Sequence, residues 1–264
     1  MRSYLHCRAF WQIPWYFQTA YLSFFVKIQF RFKCPGAATP YKIFNFIKNF
    51  RMHFLPEDID DYIVAHSQKE PDLLAKLNRE TNQKVMQPRM LSGHYQGRVL
   101  SLLSKMKMPK NILEIGTYTG YSALCLAEGL TKDGSLHTID VNEELYDLQK
   151  KYFDASDYKN QIKQYLGDAT KIIPEINAKF DLVFIDADKP NYPNYFKLII
   201  EKMNPGGIIL SDNVLWSGKV VKNIQKDDES TQALLVYNKL LAEDERVETV
   251  ILPIRDGLTL TRVL

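Results

Sequence analysis

Acidic residues are missing from the first 51 positions of this 264-residue chain, which carry eight lysines or arginines. The later positions hold the other 26 basic residues and all 31 acids, a formal charge of −5. Aromatic residues are also uneven, since 15 of the 32 lie in the first 50 positions. This change of composition predicts a basic, aromatic N-terminal extension over 1–51 and a folded domain over 52–264.

The extension also lacks an uninterrupted apolar run. Gln12, Pro14 and Lys27 break the apolar stretch at 9–30, which makes a poor membrane-spanning helix, and no small-residue cleavage site follows it. Three interpretations stay open: an interfacial anchor, an arm that covers the domain, or a start-site artefact with translation beginning at Met52. We favour the artefact, because charges of a single sign are foreign to ordinary globular composition. An intact mass corresponding to all 264 residues would contradict it.

Cysteine is scarce. Cys7, Cys34 and Cys125 form no C-x-x-C pair and no even set, which argues against a zinc site or a disulfide framework. Cys125 falls on the apolar face of a predicted helix, where a small buried thiol is the ordinary interpretation. A reducing, cytoplasmic compartment fits this usage.

The chain also lacks the Gly-x-Gly-x-x-Gly pattern that holds a pyrophosphate. Its counterpart is Glu-x-Gly-x-x-x-Gly at 114–120, between an apolar run at 111–115 and an apolar helical pattern that begins at Ala123. A strand, a glycine turn and a helix in this order suit a nucleoside-bearing ligand, because the backbone and its free N–H groups come close to it. The same turn also fits a plain corner, so alone it leaves both interpretations open.

Apolar runs and helical patterns alternate along the rest of the domain, which predicts an α/β fold. Two final runs on either side of Asp256-Gly257 predict an antiparallel hairpin at a sheet edge. We therefore expect a mostly parallel sheet with helices on both faces and a C-terminal antiparallel hairpin.

Oxygen-bearing side chains lie at or just before the predicted strand ends: Glu114, Asp140, Asp186, Asp212 and Asn213. Asp140 follows Gly116 by 24 residues, where nucleoside-binding folds place the acid that binds the ribose hydroxyls. Carboxylates that converge on one edge repel each other unless a cation lies between them. Asp186, Asp212 and Asn213 offer hard oxygen ligands without a nearby His or Cys, so Mg²⁺, Mn²⁺ or Ca²⁺ is preferred to Zn²⁺.

These motifs together resemble a known family. From Met52 to Leu264 the chain resembles the cation-dependent class I O-methyltransferases, the family of catechol and caffeoyl-CoA O-methyltransferases and their bacterial relatives. The matching motifs are Glu-Ile-Gly-Thr-Tyr-Thr-Gly-Tyr-Ser at 114–122, Phe-Ile-Asp-Ala-Asp-Lys at 184–189, Ser-Asp-Asn-Val-Leu-Trp at 211–216 and Asp-Gly-Leu-Thr-Leu at 256–260. The resemblance implies a Rossmann-like fold, S-adenosylmethionine as methyl donor, a divalent cation with Mg²⁺ first in order, and a homodimer.

The resemblance also assigns roles to individual residues. It implies S-adenosylmethionine contacts at Ser92, Glu114, Gly116, Ser122, Asp140, Asp168 and Ala169, and metal ligation at Asp186, Asp212 and Asn213. Lys189 matches the lysine proposed as general base in catechol methylation, and we expect Lys189 and Asp186 to be the catalytic residues. The deprotonated acceptor oxygen would then attack the sulfonium methyl in line. Lys189 also fits a solvated lysine that follows a strand.

The acceptor implied by the resemblance is a catechol-like small molecule with vicinal hydroxyls. Asp188, Trp216 and Tyr237 are candidates for its surroundings, although either aromatic residue equally fits the core. Plant enzymes that bind caffeoyl-CoA have an Arg- and Tyr-rich stretch after the metal site, whereas residues 219–229 have few aromatics, which argues against a CoA thioester.

Three alternatives stay open. Some bacterial relatives methylate a hydroxylated uridine in tRNA, and Lys219, Lys222 and Lys226 offer a small basic patch, although the negative charge of 52–264 argues against a polyanion. A nicotinamide-dependent oxidoreductase would share the turn and the ribose acid, but it would not use Asp212 and Asn213. A nucleoside-binding module without catalysis would bind S-adenosylmethionine and methylate nothing.

Overall fold

The computed structural model describes residues 56–223 and 225–264. The predictions for the N-terminal extension, and for a domain boundary at Met52, lie outside the described residues. The expectation of a parallel α/β sheet with a terminal hairpin falls inside them.

Within the described residues, seven strands form one sheet in the order β3-β2-β1-β4-β5-β7-β6. The strands are β1 (Asn111–Ile115), β2 (Ser135–Asp140), β3 (Ile162–Leu166), β4 (Phe180–Ile185), β5 (Met203–Asp212), β6 (Val247–Leu252) and β7 (Leu258–Val263). The first five are mutually parallel, and β7 pairs antiparallel with both β5 and β6. The predicted mostly parallel sheet with a C-terminal antiparallel hairpin is confirmed.

Helices lie between the strands along the chain, as the alternating pattern predicts. They are α1 (Glu57–Ala65), α2 (Asp72–Lys84), α3 (Gly93–Lys107), α4 (Tyr121–Ala127), α5 (Tyr146–Asp154), α6 (Ala169–Glu175), α7 (Tyr192–Ile200) and α8 (Glu229–Glu243). Short 3₁₀ turns occur at Pro88–Met90, Glu143–Leu145, Lys189–Asn191 and Trp216–Val221. In the part of the chain that the structure describes, no helix has the length and apolar character needed to cross a bilayer.

The sheet is covered on both faces, because successive side chains of a strand point to opposite sides. Leu113 of β1 belongs to one core with residues of α6, α7 and α8, whereas its neighbour Ile112 belongs to a second core with residues of α2, α3, α4 and α5. The inner strands β1 and β4 are buried on both faces, which explains why they are nearly continuous apolar runs. Only the strand ends are left for polar chemistry.

Candidate active site

The carboxyl ends of the parallel strands form one rim. Backbone hydrogen bonds continue just past the strands: the Gly116 N–H donates to the Ile139 carbonyl at 2.9 Å, and the Asp186 N–H donates to the Ile115 carbonyl at 2.9 Å. Ile185 is paired with Ser211, so the residues that follow them, Asp186 and Asp212, lie side by side at the end of the sheet. The rim therefore brings together the residues at the carboxyl ends of β1, β2, β4 and β5.

Two glycines shape the turn after β1. Gly116 has a φ of +97°, and a Cβ built there would lie 2.1 Å from the Asp186 carbonyl oxygen. Gly120, with a φ of +91°, starts α4, and its Cβ would lie 2.7 Å from the Phe153 ring. Both positions need glycine for a backbone conformation and a close approach that a side chain would prevent.

Asp140 is held against this turn. Its Oδ2 accepts a hydrogen bond from the Tyr118 N–H at 2.7 Å, and its Oδ1 accepts one from the Asn142 N–H at 2.8 Å. Each carboxylate oxygen can accept a further hydrogen bond. The side chain is therefore oriented by the protein and keeps acceptor capacity for ligand hydroxyls.

Glu114 lies in the middle of the rim and is fully buried. Burial raises the pKa of its carboxyl to about 8, while hydrogen bonds from Ser122 and Thr138 oppose the rise and the charges of Asp140 and Asp186 add to it. Its Oε1 has no hydrogen-bond partner among the described residues. A buried carboxyl with an unused oxygen is a strong candidate for contact with a cationic or donor group of a ligand.

The remaining residues of the predicted cofactor set border the rim. Asp168 starts α6 and accepts hydrogen bonds from the Thr170 N–H at 2.9 Å and the Thr170 hydroxyl at 2.6 Å, which lower the pKa of its carboxyl. Ala169, next to it, is buried. Ser92 is buried before α3, and its carbonyl accepts a hydrogen bond from Arg255 Nη1 at 2.6 Å.

The predicted metal ligands lie at the carboxyl ends of β4 and β5. Asp212 is 1% exposed, and its burial, together with the nearby charge of Asp186, raises the pKa of its carboxyl. Asn213 has a φ of +61°, a left-handed conformation that asparagine tolerates better than most residues. No group of three His, Cys, Asp or Glu that could hold a metal occurs in 56–223 and 225–264, and the predicted set has only two carboxylates beside its amide. Two repelling carboxylates and a carboxamide oxygen fit a hard divalent cation.

Lys189 is only 6% exposed, so it is not the solvated lysine of the alternative interpretation. Its Nζ donates to Tyr192 Oη at 2.7 Å and to Asp186 Oδ1 at 3.2 Å. It also lies 5.8 Å from the centre of the Trp216 ring. The amine therefore stands beside a predicted metal ligand and against an aromatic wall.

The three candidates for the acceptor's surroundings have different positions. Trp216 is half-buried beside Lys189, as a substrate wall requires. Asp188 is exposed, and its carboxylate accepts hydrogen bonds from Tyr195 and Asn191.

Tyr237 is fully buried, with its hydroxyl 2.6 Å from the Ser211 hydroxyl and its ring edge-to-face with Tyr192 at 5.3 Å. The structure places Tyr237 in the core beneath the rim, because α8 packs that ring against α7. This burial agrees with the alternative interpretation of Tyr237 as a core residue.

A cavity of about 640 Å³ lies away from the rim, beside β2 and β3. His137 lines it, with Nδ1 2.9 Å from Tyr165 Oη and Nε2 3.2 Å from Ser135 Oγ, and burial lowers the pKa of the imidazole to about 4. Both ring nitrogens already have partners within the protein. We therefore regard His137 as a structural residue of this cavity wall.

Sequence reasoning missed Gln96 and Arg255, which contact the rim from α3 and from the turn between β6 and β7. Gln96 lies four residues before Leu100 on the buried face of α3, and a buried polar residue in an apolar helical pattern was the available signal. Arg255 lies in the hairpin turn, and nothing in its local pattern indicates that it points inward.

The fold and the rim define a class. A sheet in the order 3-2-1-4-5-7-6, with a loose glycine turn after β1 and an acid after β2, is the arrangement of a Rossmann-like methyltransferase that uses S-adenosylmethionine.

Comparisons with known proteins agree. The family model for O-methyltransferases matches residues 64–264. Caffeoyl-CoA O-methyltransferase 1 of Arabidopsis thaliana is 36% identical over 219 residues, which cover 78% of this chain and 84% of that protein. The chain belongs to the O-methyltransferase family and is an S-adenosylmethionine-dependent O-methyltransferase.

Solved structures give the same result. The O-methyltransferase TomG of Streptomyces achromogenes, in complex with S-adenosylmethionine, is 29% identical and superposes with a TM-score of 0.73 over 78% of this chain and 96% of that one. The O-methyltransferase of Bacillus cereus, in complex with S-adenosylhomocysteine, is 28% identical with a TM-score of 0.73 over 78% and 97%. The oxidoreductase and the silent binding module are therefore superseded by a methyltransferase.

Proposed function

We propose that this enzyme methylates one of two vicinal hydroxyls of a catechol-like small molecule and that it needs a divalent cation, Mg²⁺ before Mn²⁺ or Ca²⁺, to do so. The observation that carries the proposal is the pair Asp186 and Asp212 at adjacent strand ends. Burial first, and the neighbouring charge of Asp186 second, raise the pKa of Asp212, so two carboxylates that repel each other lie close together. A cation bound by Asp186, Asp212 and Asn213 would relieve this repulsion.

We assign the binding of the methyl donor, S-adenosylmethionine, to the part of the rim at the ends of β1 and β2. Asp140 has free acceptor capacity beside the glycine turn, which suits the ribose hydroxyls of S-adenosylmethionine. Glu114 Oε1, which has no hydrogen-bond partner among the described residues, suits a hydrogen-bond donor in the methionine part of S-adenosylmethionine. Ser92, Gly116, Ser122, Asp168 and Ala169 complete the proposed cofactor contacts.

Lys189 is the proposed general base. When bound, the cation would stabilise the anion of an acceptor hydroxyl and so make that hydroxyl more acidic. Lys189 Nζ would take the hydroxyl proton, and the acceptor oxygen would form a bond to the methyl carbon while the carbon–sulfur bond breaks. Burial of Nζ keeps water away from this proton transfer.

Two observations bear on the acceptor. The plant relatives are named for caffeoyl-CoA, whose caffeoyl group carries two neighbouring phenolic hydroxyls, and this supports a vicinal diol. Lys219 Nζ donates to Asp228 Oδ2 at 2.9 Å, so part of the small basic patch is already neutralised within the protein. A small molecule therefore remains preferred to tRNA as the acceptor.

Removal and return of the metal tests the proposal. The purified enzyme is treated with EDTA, dialysed, and assayed with labelled S-adenosylmethionine against a catechol panel, caffeoyl-CoA and bulk tRNA, before and after addition of Mg²⁺ or Mn²⁺. We expect methylation of a vicinal diol that falls to background with EDTA and returns with the cation. Methylation that is indifferent to EDTA would refute the metal site.

The acceptor panel has its own controls. A monophenol without a neighbouring hydroxyl should be a poor acceptor, because it offers only one oxygen to the metal site. Methylation confined to tRNA would replace the small-molecule acceptor and leave the donor site untouched. Asp212→Asn should lose metal-dependent activity, whereas Asp133→Asn, at a side chain that is 74% exposed in the turn before β2, should keep it.

A further inference from the structure

A chain of hydrogen bonds reaches Asp212 from behind the rim. Arg255 Nη1 donates to Gln96 Oε1 at 2.8 Å, and Gln96 Nε2 donates to Asp212 Oδ2 at 2.8 Å. Gln96 is 0% exposed and Asp212 is 1% exposed, so water does not compete for their bond. These hydrogen bonds join three separate parts of the polypeptide: helix α3, the end of β5 and the hairpin turn.

The middle position of this hydrogen-bond chain requires a side chain that both accepts and donates. A guanidinium only donates hydrogen bonds, and an ionised carboxylate only accepts them. The residue between Arg255 and Asp212 must therefore accept on one side and donate on the other. Glutamine does both, and its partners leave only one orientation of the amide, since the oxygen must face Arg255 and the nitrogen must face Asp212.

Hydrogen bonds to both of its oxygens fix the orientation of the Asp212 carboxylate. Oδ2 is held by Gln96, and Oδ1 accepts a hydrogen bond from the Asn213 N–H at 2.9 Å. With both oxygens held, the plane of the carboxylate is set, and each oxygen still has a lone pair that can face a cation. Groups that orient metal ligands in this way typically matter about 10- to 100-fold for metal affinity.

Arg255 ties this chain to the cofactor side of the site. The same Nη1 that donates to Gln96 also donates to the Ser92 carbonyl at 2.6 Å, and Ser92 is one of the proposed cofactor contacts. The guanidinium therefore holds both the Gln96 side chain and the backbone at the N-terminal end of α3.

We propose that Gln96 and Arg255 are positioning residues that hold the Asp212 carboxylate in the orientation that binds the divalent cation. The inference rests on the proposed function, because it assigns a purpose to Asp212 as a metal ligand. Neither residue touches the reacting atoms. Their effect is exerted through Asp212 alone for Gln96, and through Gln96 and Ser92 for Arg255.

The test measures metal and cofactor binding separately on the full chain. Gln96→Met keeps an unbranched side chain of similar length and removes both hydrogen bonds. We expect its dissociation constant for Mn²⁺, measured by electron paramagnetic resonance, to rise about 10- to 100-fold. Its affinity for S-adenosylmethionine should stay within about twofold, which also shows that the variant is folded.

A double-mutant cycle adds a result that a purely structural role would not produce. If Gln96 and Arg255 act in one chain, Gln96→Met combined with Arg255→Met should weaken Mn²⁺ binding hardly more than Gln96→Met alone. Arg255→Lys keeps the positive charge but not the forked set of N–H donors. Its dissociation constant for Mn²⁺ should lie between those of wild type and Arg255→Met. Gln161→Met is the matched control, since Gln161 Nε2 donates only to the carbonyls of Thr131 and Gly134.

The possible failures are distinguishable. A Gln96→Met variant that binds Mn²⁺ as tightly as wild type would overturn the positioning role and leave the metal site standing. If the losses of Mn²⁺ affinity in the two single variants added up in the double variant, Gln96 and Arg255 would not act through one chain of hydrogen bonds. The metal site would be overturned if the wild-type enzyme bound no Mn²⁺, or if its Mn²⁺ binding survived the Asp212→Asn substitution. This inference would then fall with the metal site.

Discussion

Two side chains hold the Nζ of Lys189 inside the protein. Asp186 Oδ1 lies 3.2 Å from it and forms an ion pair with it. The Tyr192 hydroxyl fixes the amine at 2.7 Å, and that hydroxyl is fully buried, with its own pKa raised well above the ordinary value by burial. Tyr192 therefore holds the lysine in place and does not compete with it as a base.

The prediction at this scale is a loss of turnover in Lys189→Met. Methionine fills a similar volume without a proton acceptor, so kcat should fall by about 10²- to 10⁴-fold, the usual range for one acid–base group. The dissociation constant of S-adenosylmethionine should change little, because none of the proposed cofactor contacts involves Nζ. Near-normal kcat would remove Lys189 from the mechanism, and Lys239→Met, on the exposed face of α8, controls for the loss of a lysine.

At the scale of elements, the site depends on how strands and helices end. Asp228 links the start of α8 to Lys219 in the 3₁₀ turn at Trp216–Val221. Asp228 Oδ1 accepts a hydrogen bond from the Thr231 N–H at 3.1 Å as N-cap of α8, and its Oδ2 accepts one from Lys219. One side chain thus caps the helix and ties down the preceding turn.

Separate substitutions distinguish these two roles. Asp228→Asn keeps a capping side chain and loses only a surface ion pair, so the free energy of unfolding should change by less than about 1 kcal/mol. Asp228→Ala loses the cap as well and should cost about 1 kcal/mol more. Urea unfolding of the three proteins measures both steps. Equal losses in the two variants would mean that the ion pair, and not the cap, is the stabilising contact.

At the scale of the whole molecule, folding places an acid at the centre of a dry rim. The folded protein keeps a proton on Glu114 up to about pH 8, whereas the unfolded chain releases it near the ordinary glutamate pKa. Over this window the unfolded state binds fewer protons, so the free energy of unfolding contributed by this group falls as the pH rises. One proton limits the slope to about 1.4 kcal/mol per pH unit.

Glu114→Gln removes this titration and keeps the shape of the side chain. We expect the stability of the ligand-free variant, relative to wild type, to improve steadily between about pH 5 and pH 8. Urea unfolding at several pH values measures the difference, with Glu175→Gln on the exposed face of α6 as control. A difference that does not vary with pH would show that Glu114 is ionised in the folded protein.

The extension and the assembly also belong to this scale. The basic, aromatic residues 1–51 lie outside the described residues, and their start-site interpretation stays a prediction. The homodimer implied by the family resemblance also stays a prediction.

The sequence by itself determined the order of strands and helices, the glycine turn, and the convergence of Asp140, Asp186 and Asp212. These could be predicted because parallel strands bring their carboxyl ends to one edge, so residues in local motifs meet whatever the details of packing. The family motifs, which are also local, made the methyltransferase recognisable.

Only the tertiary structure decided the surroundings of those residues. It buried Lys189, placed Tyr237 in the core, and brought Gln96 to Asp212 across 116 residues and to Arg255 across 159. No local pattern specifies such contacts, because they depend on how helix α3 and the terminal hairpin pack against the sheet. The identity of the rim residues is written in short motifs, and their orientation is set by side chains far away in the chain.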